Sequence, residues 1–506
     1  MRTLTRRDLL RLLALAPLAG LRGSPAPRVP PARRAGDGPP NILVLVFDAF
    51  SARHIPFHGY HRSTSPNLQR FAERAVTYHA HYSAGSFTTP GTASLLTGVY
   101  PWSHRAVNIQ STVLEEFRDR SMFRLFHEAG YSSVAYTHNI AVSSLLDQFR
   151  DDIDHFVRTH ELVLQDRYAS QWLFPDDFAS AVHADSLITH RGDTSSSLFL
   201  YELSRFWMTY GEQRLNEEQG ELFPRSLPSL QGQVFLLEDA MDWTMQELAG
   251  LQQPYLAYLH FLPPHDPYHA RRDFIGLFDG SETAAPKPHH ALSEAVSEEF
   301  LVNACREYDE YIAYTDAEFG RLLDFLERNG MLETTSVVVT SDHGELFERG
   351  IWGHITPVMF ESLVRIPLLI SVPGQHGGTD VRIPTSSVDV LPTLLHLAGL
   401  PTPDWSEGEV LPGIAGHQAE ERAIYCMDAK ESSRFGPLAR RTVSVIRGDY
   451  KLTHYLGYPE YDDVYELHDL RKDPEELNNV YTPSNAIGRA LRALLTEQSA
   501  KLEAEA

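Results

Sequence analysis

The sequence predicts an α/β fold, a three-layer sandwich with a mostly parallel central sheet, followed by a smaller C-terminal α+β domain. Apolar runs typical of buried strands alternate with amphipathic helical segments as far as residue 400, as in a parallel sheet covered on both faces. After "PTPDW" at 401–405 the pattern changes to closely spaced strands and a terminal helix. A chain of 506 residues is long enough for both domains.

The predicted strands and helices of the large domain follow one another in a regular order. Folded sequence begins at "NILVLVFDAF", residues 41–50, where an apolar run of buried-strand type ends on Asp48. Helix and strand segments then alternate through 67–82, 121–139, 234–261, 307–344 and 365–372. We therefore assign residues 40–400 to one catalytic domain and 401–506 to the smaller domain.

The stretch from about 145 to 232 breaks this order. It has mixed charges, scattered aromatic residues and no clear hydrophobic period. A long segment without periodic structure inside a compact domain is typical of a functional loop. We expect an insertion here that acts as a lid or as a substrate-selecting cap.

Residues 1–39 predict an export signal and a Pro-rich linker. The pair Arg6-Arg7 precedes an apolar stretch at 9–21, which is too short and too interrupted for a stable membrane span. The pattern resembles a twin-arginine signal, with a chance arginine pair in an ordinary leader as the alternative. We expect a periplasmic or extracellular protein with no stable membrane span after signal removal. The sequence indicates neither a cleavage site nor an oligomeric state.

Net charge and cysteine content exclude several classes of protein. The formal net charge is −23, from 67 acidic against 44 basic residues, which argues against nonspecific nucleic-acid binding. An anionic substrate would then need a local positive centre, such as a metal ion. The two cysteines, Cys305 and Cys426, are too few for a disulfide framework or a cysteine-ligated metal site.

Chemically active side chains gather at the predicted ends of strands. Functional residues of parallel sheets lie beyond the carboxyl ends of the strands, and the residues in such positions here are Asp48, His260, His265, Asp342 and His343. Thr88 opens the helix after the next loop. Two carboxylates and an imidazole around a hydroxyl suit one divalent cation, Zn²⁺, Mn²⁺, Mg²⁺ or Ca²⁺. Its predicted ligands are Asp48, Thr88, Asp342 and His343.

Such a site suits the transfer of a tetrahedral oxyanion. A bound cation stabilises a threonine alkoxide, which hardly forms at neutral pH without one. The helix N-terminus beneath Thr88 supplies N–H groups for an anionic ester. His265, in "PPHDPY", is expected to contact the ester oxygens or to protonate the leaving group. A small anionic ester is therefore the expected substrate.

Five motifs occur in an order that identifies a family. They are "TTPGTASLLTGVYP" from Thr88, "TSDHGE" with "GH" at 353–354, "FESLVRIPLLI", "SSVDVLPTLLHLAGLPTP", and "IRGDYKLTHY" with "YELHDLRKDPEELNN". Together they resemble the sulfatase family of the alkaline-phosphatase-like superfamily over most of residues 40–480. The resemblance implies that Thr88 stands at the nucleophile position. It also implies that His354 is catalytic or supports the site, because members of the family place a basic group near it.

Four departures from that family's pattern bear on the reaction. Typical sulfatases carry Cys or Ser, matured to formylglycine, where this chain has Thr88, and Arg where it has Thr92. Their first strand ends in Asp-Asp rather than Phe47-Asp48, and their Gly-Lys-x-x-His element is "THNI" at 137–140 here. A threonine cannot become formylglycine. A sulfated threonine would need a second, slow S–O cleavage, whereas phosphothreonine opens by attack at phosphorus.

These departures favour a metal-dependent hydrolase or transferase that cleaves phosphate-type esters through a threonine nucleophile. The alternatives are a sulfuric ester hydrolase of the arylsulfatase kind, a phosphoglycerol- or phosphoethanolamine-type transferase, and a non-catalytic binding module on the same fold. Structural alternatives also exist at single positions. They are Thr88 as a helix cap, Thr89 as a cap or core residue, and His265 as a loop histidine.

Overall fold

The computed structural model describes residues 38–157, 159–164, 210–211, 213–230, 233–281, 285–414 and 422–504. Its α/β architecture confirms the predicted fold class. In chain order the strands are β1 Asn41–Phe47, β2 Val76–Tyr78, β3 His81–Tyr82, β4 Ser132–Thr137, β5 His155–Val157, β6 Ser229–Leu230, β7 Gln233–Val234, β8 Tyr255–Phe261, β9 Thr335–Thr340, β10 Leu346–Glu348, β11 Ile351–Gly353, β12 Leu368–Ser371, β13 Thr379–Val381, β14 Thr385–Ser386, β15 Ile424–Asp428, β16 Arg441–Arg447, β17 Tyr450–Leu456 and β18 Val464–Asp469.

The α-helices alternate with these strands through the large domain. They are α1 Pro66–Ala72, α2 Thr88–Thr97, α3 Pro101–His104, α4 Met122–Glu128, α5 Ile140–Gln148, α6 Leu237–Gly250, α7 Glu298–Arg328, α8 Glu361–Val364, α9 Val390–Leu397 and α10 Ala486–Ala504. Short 3-10 helices cover Ala52–His54, Pro56–His58, Glu115–Phe117, Arg150–Asp152, Thr159–Leu162, Arg272–Phe274, Met331–Glu333 and Ser387–Asp389.

The central sheet has the strand order β13-β2-β12-β9-β1-β8-β4-β5. β1 lies between β8 and β9 and is parallel to both. β8, β4 and β5 continue the parallel arrangement on one side. On the other side β12 runs antiparallel to both of its neighbours, β9 and β2. The sheet is therefore mostly parallel, as the sequence predicts.

Side chains of β1 alternate between two apolar cores and so define the three layers. Leu43, Leu45 and Phe47 pack in one core with apolar residues of α6 and α7. The intervening Ile42, Val44 and Val46 pack in a second core with apolar residues of α2, α4, α5 and α9. Both faces of the strand are fully covered, which explains its unbroken apolar sequence.

A separate four-stranded antiparallel sheet forms the C-terminal part, in the order β15-β16-β17-β18. Leu491 and Leu495 of α10 pack with Val443, Leu452 and Leu467 of this sheet in one apolar cluster. The smaller α+β domain is therefore present as predicted. Its first strand joins the large domain through a parallel bridge between Gly85 and Met427.

Two sequence predictions concern residues that the structure describes only in part or not at all. The proposed export signal lies in residues 1–37, outside the described residues. Of the proposed insertion at about 145–232, residues 145–157 belong to α5, a 3-10 turn and β5, while 165–209 lie outside the described residues. The lid therefore stays a prediction. Among the described helices none is long and apolar enough to cross a membrane.

Candidate active site

Three neighbouring strands end at the same edge of the sheet and carry the predicted site there. Asp48 follows β1, His260 lies in β8, and Asp342-His343 follows β9. Val46 of β1 is in register with His260 and with the last residue of β9, so the three strand ends are level. These acidic and imidazole side chains are at most 1% exposed. The structure therefore brings these residues together at the strand ends, as the sequence predicts.

Helix α2 brings Thr88 to the same edge. All ten of its residues are buried, and Thr88 is the first of them. Gly91, in the first turn, lies against the backbone carbonyl of Asp342, and a Cβ at that position would collide with this oxygen. Glycine therefore allows the helix to approach the Asp342 loop closely, which places the Thr88 hydroxyl beside the acidic groups.

Neither threonine at the start of α2 caps the helix. The N-cap is Phe87, whose side chain makes no capping hydrogen bond. Thr89 is 1% exposed, and its Oγ1 accepts a hydrogen bond from the backbone N–H of Gln110 at 3.1 Å. The cap alternatives for Thr88 and Thr89 are therefore wrong, because the helix begins one residue earlier than a Thr88 cap requires. Of the two alternatives for Thr89, a helix cap or a core residue, the structure shows the core residue.

Three atoms of the other predicted ligand residues converge on His343 Nε2. This nitrogen lies 3.2 Å from Thr88 Oγ1, 3.4 Å from Asp48 Oδ1 and 3.6 Å from Asp342 Oδ2. The Nδ1 atom of His343 donates to the Gly344 carbonyl at 2.8 Å. In the neutral ring this bond leaves the Nε2 lone pair directed at the other three atoms.

Both carboxylates are anchored by hydrogen bonds on one oxygen, and the second oxygen of each faces this cluster, where Asp342 Oδ2 also accepts a long bond from Thr92 Oγ1 at 3.5 Å. Asp342 Oδ1 accepts from the backbone N–H groups of Ala49 at 3.3 Å and His343 at 3.0 Å. Asp48 Oδ2 accepts from Asn139 Nδ2 at 2.6 Å and from His260 Nε2 at 3.2 Å. Asp48 Oδ1 is buried and has no hydrogen-bond partner within the described part of the chain.

The charges of the cluster are strongly coupled. Burial raises the pKa of Asp48, but the nearby His265, His260 and His343 outweigh it and hold that pKa well below the ordinary value. Burial and the charge of Asp48 raise the pKa of Asp342. Burial lowers the pKa of His343, but Asp342 and Asp48 outweigh it and bring the value to about 9. The two carboxylates therefore depend on a nearby positive charge.

A divalent cation fits this donor set. Two carboxylate oxygens, one imidazole nitrogen and one hydroxyl are ligands that Zn²⁺, Mn²⁺, Mg²⁺ and Ca²⁺ accept in different proportions. The unpartnered Asp48 Oδ1 is a buried atom that a cation would satisfy. A bound cation would also supply the positive charge that two neighbouring buried carboxylates require.

His265 and His354 lie next to this cluster. The ring centroid of His354 is 4.4 Å from that of His343 and 4.7 Å from that of His265. His265 Nδ1 is 2.7 Å from the carbonyl oxygen of Asp266, and His354 Nδ1 is 3.0 Å from Glu345 Oε1. The predicted catalytic histidines therefore share one pocket with the predicted ligands, with each Nδ1 held by an oxygen.

The surroundings drive the pKa values of these two histidines apart. Burial lowers the pKa of His265, but Asp266, Asp48 and Glu345 outweigh it and raise the pKa above the ordinary value. Burial and the positive charges of His343 and His265 lower the pKa of His354 well below its ordinary value. His265 therefore tends to carry a proton that His354 lacks, which is a division typical of acid–base sites.

Three further residues complete the site. The strand-end pattern included His260 without assigning it a role, and it did not include Asn139 or Glu345. His260 and Asn139 both donate to Asp48, and Glu345 accepts from His354. The signals were present but weak, since His260 ends a buried strand, Asn139 stands in "THNI" and Glu345 closes "TSDHGE". Burial raises the pKa of Glu345 to about 7 against the lowering effect of His265 and His343.

Comparison with known protein families assigns the chain to a family. The Sulfatase family model matches residues 40–400, which is more than half of the chain. The chain belongs to the sulfatase family. A second model, "N-sulphoglucosamine sulphohydrolase, C-terminal", matches residues 350–504. The protein is thus a sulfatase-like ester hydrolase of the alkaline-phosphatase-like superfamily, and enzymes of this family are metal-dependent.

Individual relatives act on both sulfate-type and phosphorus-type esters according to their names. The chain is 27% identical over 494 residues to choline-sulfatase of Rhizobium meliloti (strain 1021), covering 91% of this chain and 85% of that protein. It is 24% identical over 507 residues to the multifunctional alkaline phosphatase superfamily protein PehA of Trinickia caryophylli, covering 87% and 91%. The phosphonate monoester hydrolase structure from Agrobacterium radiobacter superposes with a TM-score of 0.65 at 20% identity, covering 92% and 96%.

Proposed function

We propose that this sulfatase-family protein cleaves phosphate-type monoesters or diesters through Thr88 as the nucleophile. The observation that carries the proposal is the convergence of Thr88 Oγ1 on His343 Nε2, at 3.2 Å, beside Asp48 Oδ1 and Asp342 Oδ2. A hydroxyl buried at the first residue of a helix, next to a donor set that suits a cation, supports a role for Thr88 in attack.

Asp48 Oδ1, Asp342 Oδ2, His343 Nε2 and Thr88 Oγ1 would hold the divalent cation. Once bound, the cation lowers the free energy of the ionised Thr88 hydroxyl and neutralises part of the charge of the ester. The His343 Nδ1 bond to Gly344 keeps the imidazole oriented with Nε2 toward the cluster. The backbone bonds to Asp342 Oδ1 fix the other oxygen of that carboxylate in the same way.

The start of α2 provides donors for the oxygens of the ester. The first N–H groups of a helix have no partner within the helix, and the side chain of the N-cap Phe87 accepts none of them. These groups and the helix dipole favour an anion beside Thr88. Asn139 Nδ2, which lies 3.5 Å from Thr88 Oγ1, adds a side-chain donor on the same side.

His265 is proposed as the acid for the leaving group. The pKa of His265 is raised by Asp266, Asp48 and Glu345, which favours the protonated ring, and its Nδ1 is engaged by the Asp266 carbonyl, which leaves the Nε2–H to donate. His354 has a lowered pKa and is oriented by Glu345. Its lowered pKa favours the neutral ring, so His354 is proposed to offer the ester a polar contact without a second positive charge beside His265.

The proposed reaction has two balanced steps. In the first, the Thr88 hydroxyl gives its proton to solvent water and Oγ1 bonds to phosphorus, while the bond to the leaving oxygen breaks and that oxygen takes a proton from His265. In the second, a water molecule gives one proton to His265 and its oxygen bonds to phosphorus, the bond to Thr88 Oγ1 breaks, and Oγ1 takes a proton back from solvent. The threonine hydroxyl and inorganic or esterified phosphate are then released. An alcohol in place of water would give a transferase.

Sulfate-ester hydrolysis is the second candidate function. It is favoured by the similarity to choline-sulfatase of Rhizobium meliloti over 91% of this chain. The residue at the nucleophile position weighs against it, because Thr88 cannot become formylglycine and a threonine sulfate lacks the easy release that a hydrated aldehyde provides.

A substrate screen tests the proposed function. The purified protein, loaded in turn with Zn²⁺, Mn²⁺, Mg²⁺ and Ca²⁺, is assayed against aryl sulfates, phosphomonoesters and phosphodiesters beside a Thr88→Ala control. We expect kcat/KM to be highest for a phosphorus ester and to depend on both the cation and Thr88. Faster turnover of the aryl sulfate would contradict the phosphate assignment, and cation-independent turnover would contradict the metal site.

A further inference from the structure

His260 is a second imidazole beside Asp48, in addition to His343. It is fully buried in β8, in register with Val46 of β1 and with Thr137 of β4. Its Nε2 lies 3.2 Å from Asp48 Oδ2 and 3.8 Å from Asp342 Oδ2. Only the first of these distances is that of a hydrogen bond.

Two donors converge on the same oxygen of Asp48. Asn139 Nδ2 approaches Oδ2 at 2.6 Å and His260 Nε2 approaches it at 3.2 Å. The second oxygen, Oδ1, receives no hydrogen bond within the described part of the chain. A carboxylate with both donors on one oxygen is held in a single orientation, and here that orientation presents Oδ1 to His343 Nε2 at 3.4 Å.

The hydroxyl of Tyr258 fixes the tautomer of His260. Tyr258 OH lies 3.0 Å from His260 Nδ1, on the same strand. An ionised carboxylate only accepts hydrogen bonds, so the proton between His260 and Asp48 must sit on Nε2. The Nδ1 atom of the neutral ring then carries a lone pair, which accepts the tyrosine O–H. The result is a chain from the Tyr258 hydroxyl through His260 to Asp48.

From this geometry we infer that His260 is a positioning residue for the cation site. It donates Nε2–H to Asp48 Oδ2 and so holds Oδ1 as the ligand atom, without binding the cation itself. The inference rests on the cation site of the proposed function, and it assigns to a residue of β8 the task of orienting a ligand that comes from β1. Hydrogen-bonded partners of metal ligands typically change metal affinity 10- to 100-fold.

His138, which follows β4 directly, is not a hydrogen-bond donor to Asp48. The neighbouring His138 is buried and stacked on Phe235, with ring centroids 3.8 Å apart. Neither of its ring nitrogens has a hydrogen-bond partner in the part of the chain that the structure describes. His138 therefore does not reach the carboxylate, although it precedes Asn139 in sequence. The imidazole that donates to Asp48 Oδ2 is therefore His260, from the adjacent strand β8.

Mn²⁺ affinity of the full chain tests the inference without relying on turnover. The metal-free protein is titrated with Mn²⁺ and the free ion is followed by EPR for the wild type, His260→Ala and His260→Gln. The matched control is His81→Ala, which removes a fully buried histidine that hydrogen-bonds to Thr385 Oγ1. Thermal unfolding in the presence of a chelator checks that each variant is folded.

We expect His260→Ala to weaken Mn²⁺ binding about 10- to 100-fold. His260→Gln should recover most of that loss, because its side-chain amide N–H can replace Nε2–H, and His81→Ala should bind Mn²⁺ like the wild type. Tyr258→Phe should weaken binding by a smaller factor in the same direction. A purely structural role for His260 would not show this rescue by glutamine.

Two results would overturn the inference. One is equal Mn²⁺ affinity in the wild type and His260→Ala. The other is a pulsed-EPR signature of two bound imidazoles in the Mn²⁺-loaded wild type that falls to one in His260→Ala, which would make His260 a ligand. Failure of the wild type to bind any of Zn²⁺, Mn²⁺, Mg²⁺ and Ca²⁺ would instead refute the cation site of the proposed function, and this inference with it.

Discussion

Replacement of Asp342 by asparagine should stabilise the metal-free protein while abolishing its response to a divalent cation. In the structure Asp342 is 1% exposed, and its pKa is raised first by burial and then by the charge of Asp48. In Asp342→Asn the amide oxygen can keep the bonds from the backbone N–H groups of Ala49 and His343. The amide nitrogen replaces Oδ2 and faces the cluster that contains the unpartnered Asp48 Oδ1.

The expected gain in stability of Asp342→Asn follows from removing one buried charge and adding one hydrogen bond. Removal of one of two neighbouring buried carboxylate charges, together with a new bond to a charged acceptor, is worth about 1–3 kcal/mol. At about 2 cal/mol/K per residue, the unfolding entropy of a chain of this length makes each kcal/mol equal to about 1 °C in Tm. We therefore expect a rise of about 1–3 °C in the presence of a chelator.

The same variant should lose stabilisation by the cation. For the wild type, a free cation concentration 1,000 times Kd adds about 4 kcal/mol. Thermal unfolding of both proteins, with a chelator and with saturating Mn²⁺, measures the two effects together. The order of Tm values should be reversed between the two conditions. A lower Tm of Asp342→Asn in chelator, or an undiminished gain with Mn²⁺, would refute the coupling of these carboxylates to a cation.

The other predictions concern the second threonine, the C-terminal sheet and export. Thr89→Ala should leave kcat within a few-fold of wild type and lower stability by about 1 kcal/mol, through the lost bond to Gln110; a loss of activity like that of Thr88→Ala would refute this. Burial raises the pKa of Glu466, but His290 and Tyr461 outweigh it and hold it at about 2. This lowered pKa corresponds to about 3 kcal/mol of folding free energy, which is fully present above the ordinary pKa of glutamate and is lost as pH falls toward 2. Glu466→Gln should therefore lower the free energy of unfolding, measured in urea, at pH 7 and lower it progressively less below pH 5. A pH-independent cost would contradict it. Finally, we propose export by the twin-arginine route, so replacing Arg6 and Arg7 by lysine should retain the protein in the cytoplasm on fractionation; unchanged localisation would remove that proposal.

The sequence was informative where function and fold depend on residues that are close along the chain. An apolar run that ends on Asp48, and a "VVVTSDHG" run that ends on Asp342-His343, show both a buried strand and the polar groups at its end. Alternation of such strands with helices favours a parallel sheet, in which the carboxyl ends of neighbouring strands are level, so the meeting of Asp48 with Asp342 and His343 was predictable.

The remaining parts of the site depend on contacts that the local sequence does not encode. His260 stands within an apolar strand, and its bond to Asp48 follows from the register of β8 against β1. The N-cap of α2 is Phe87, a residue with no capping group, because tertiary packing rather than capping fixes where this helix begins. Glu345 orients His354 only because the β10–β11 hairpin, Leu346–Glu348 and Ile351–Gly353, turns the chain back on itself.

Covalent trapping tests the role of Thr88 most directly. The cation-loaded enzyme is mixed with a phosphomonoester, quenched in acid during turnover, digested and analysed by tandem mass spectrometry, with Thr88→Ala treated in parallel. We predict a phosphate adduct on the Thr88 hydroxyl and on no other residue of its peptide, together with a loss of about 10³-fold or more in kcat for Thr88→Ala. Turnover without an adduct, accompanied by near-normal kcat in Thr88→Ala, would contradict the account and leave cation-bound water as the nucleophile.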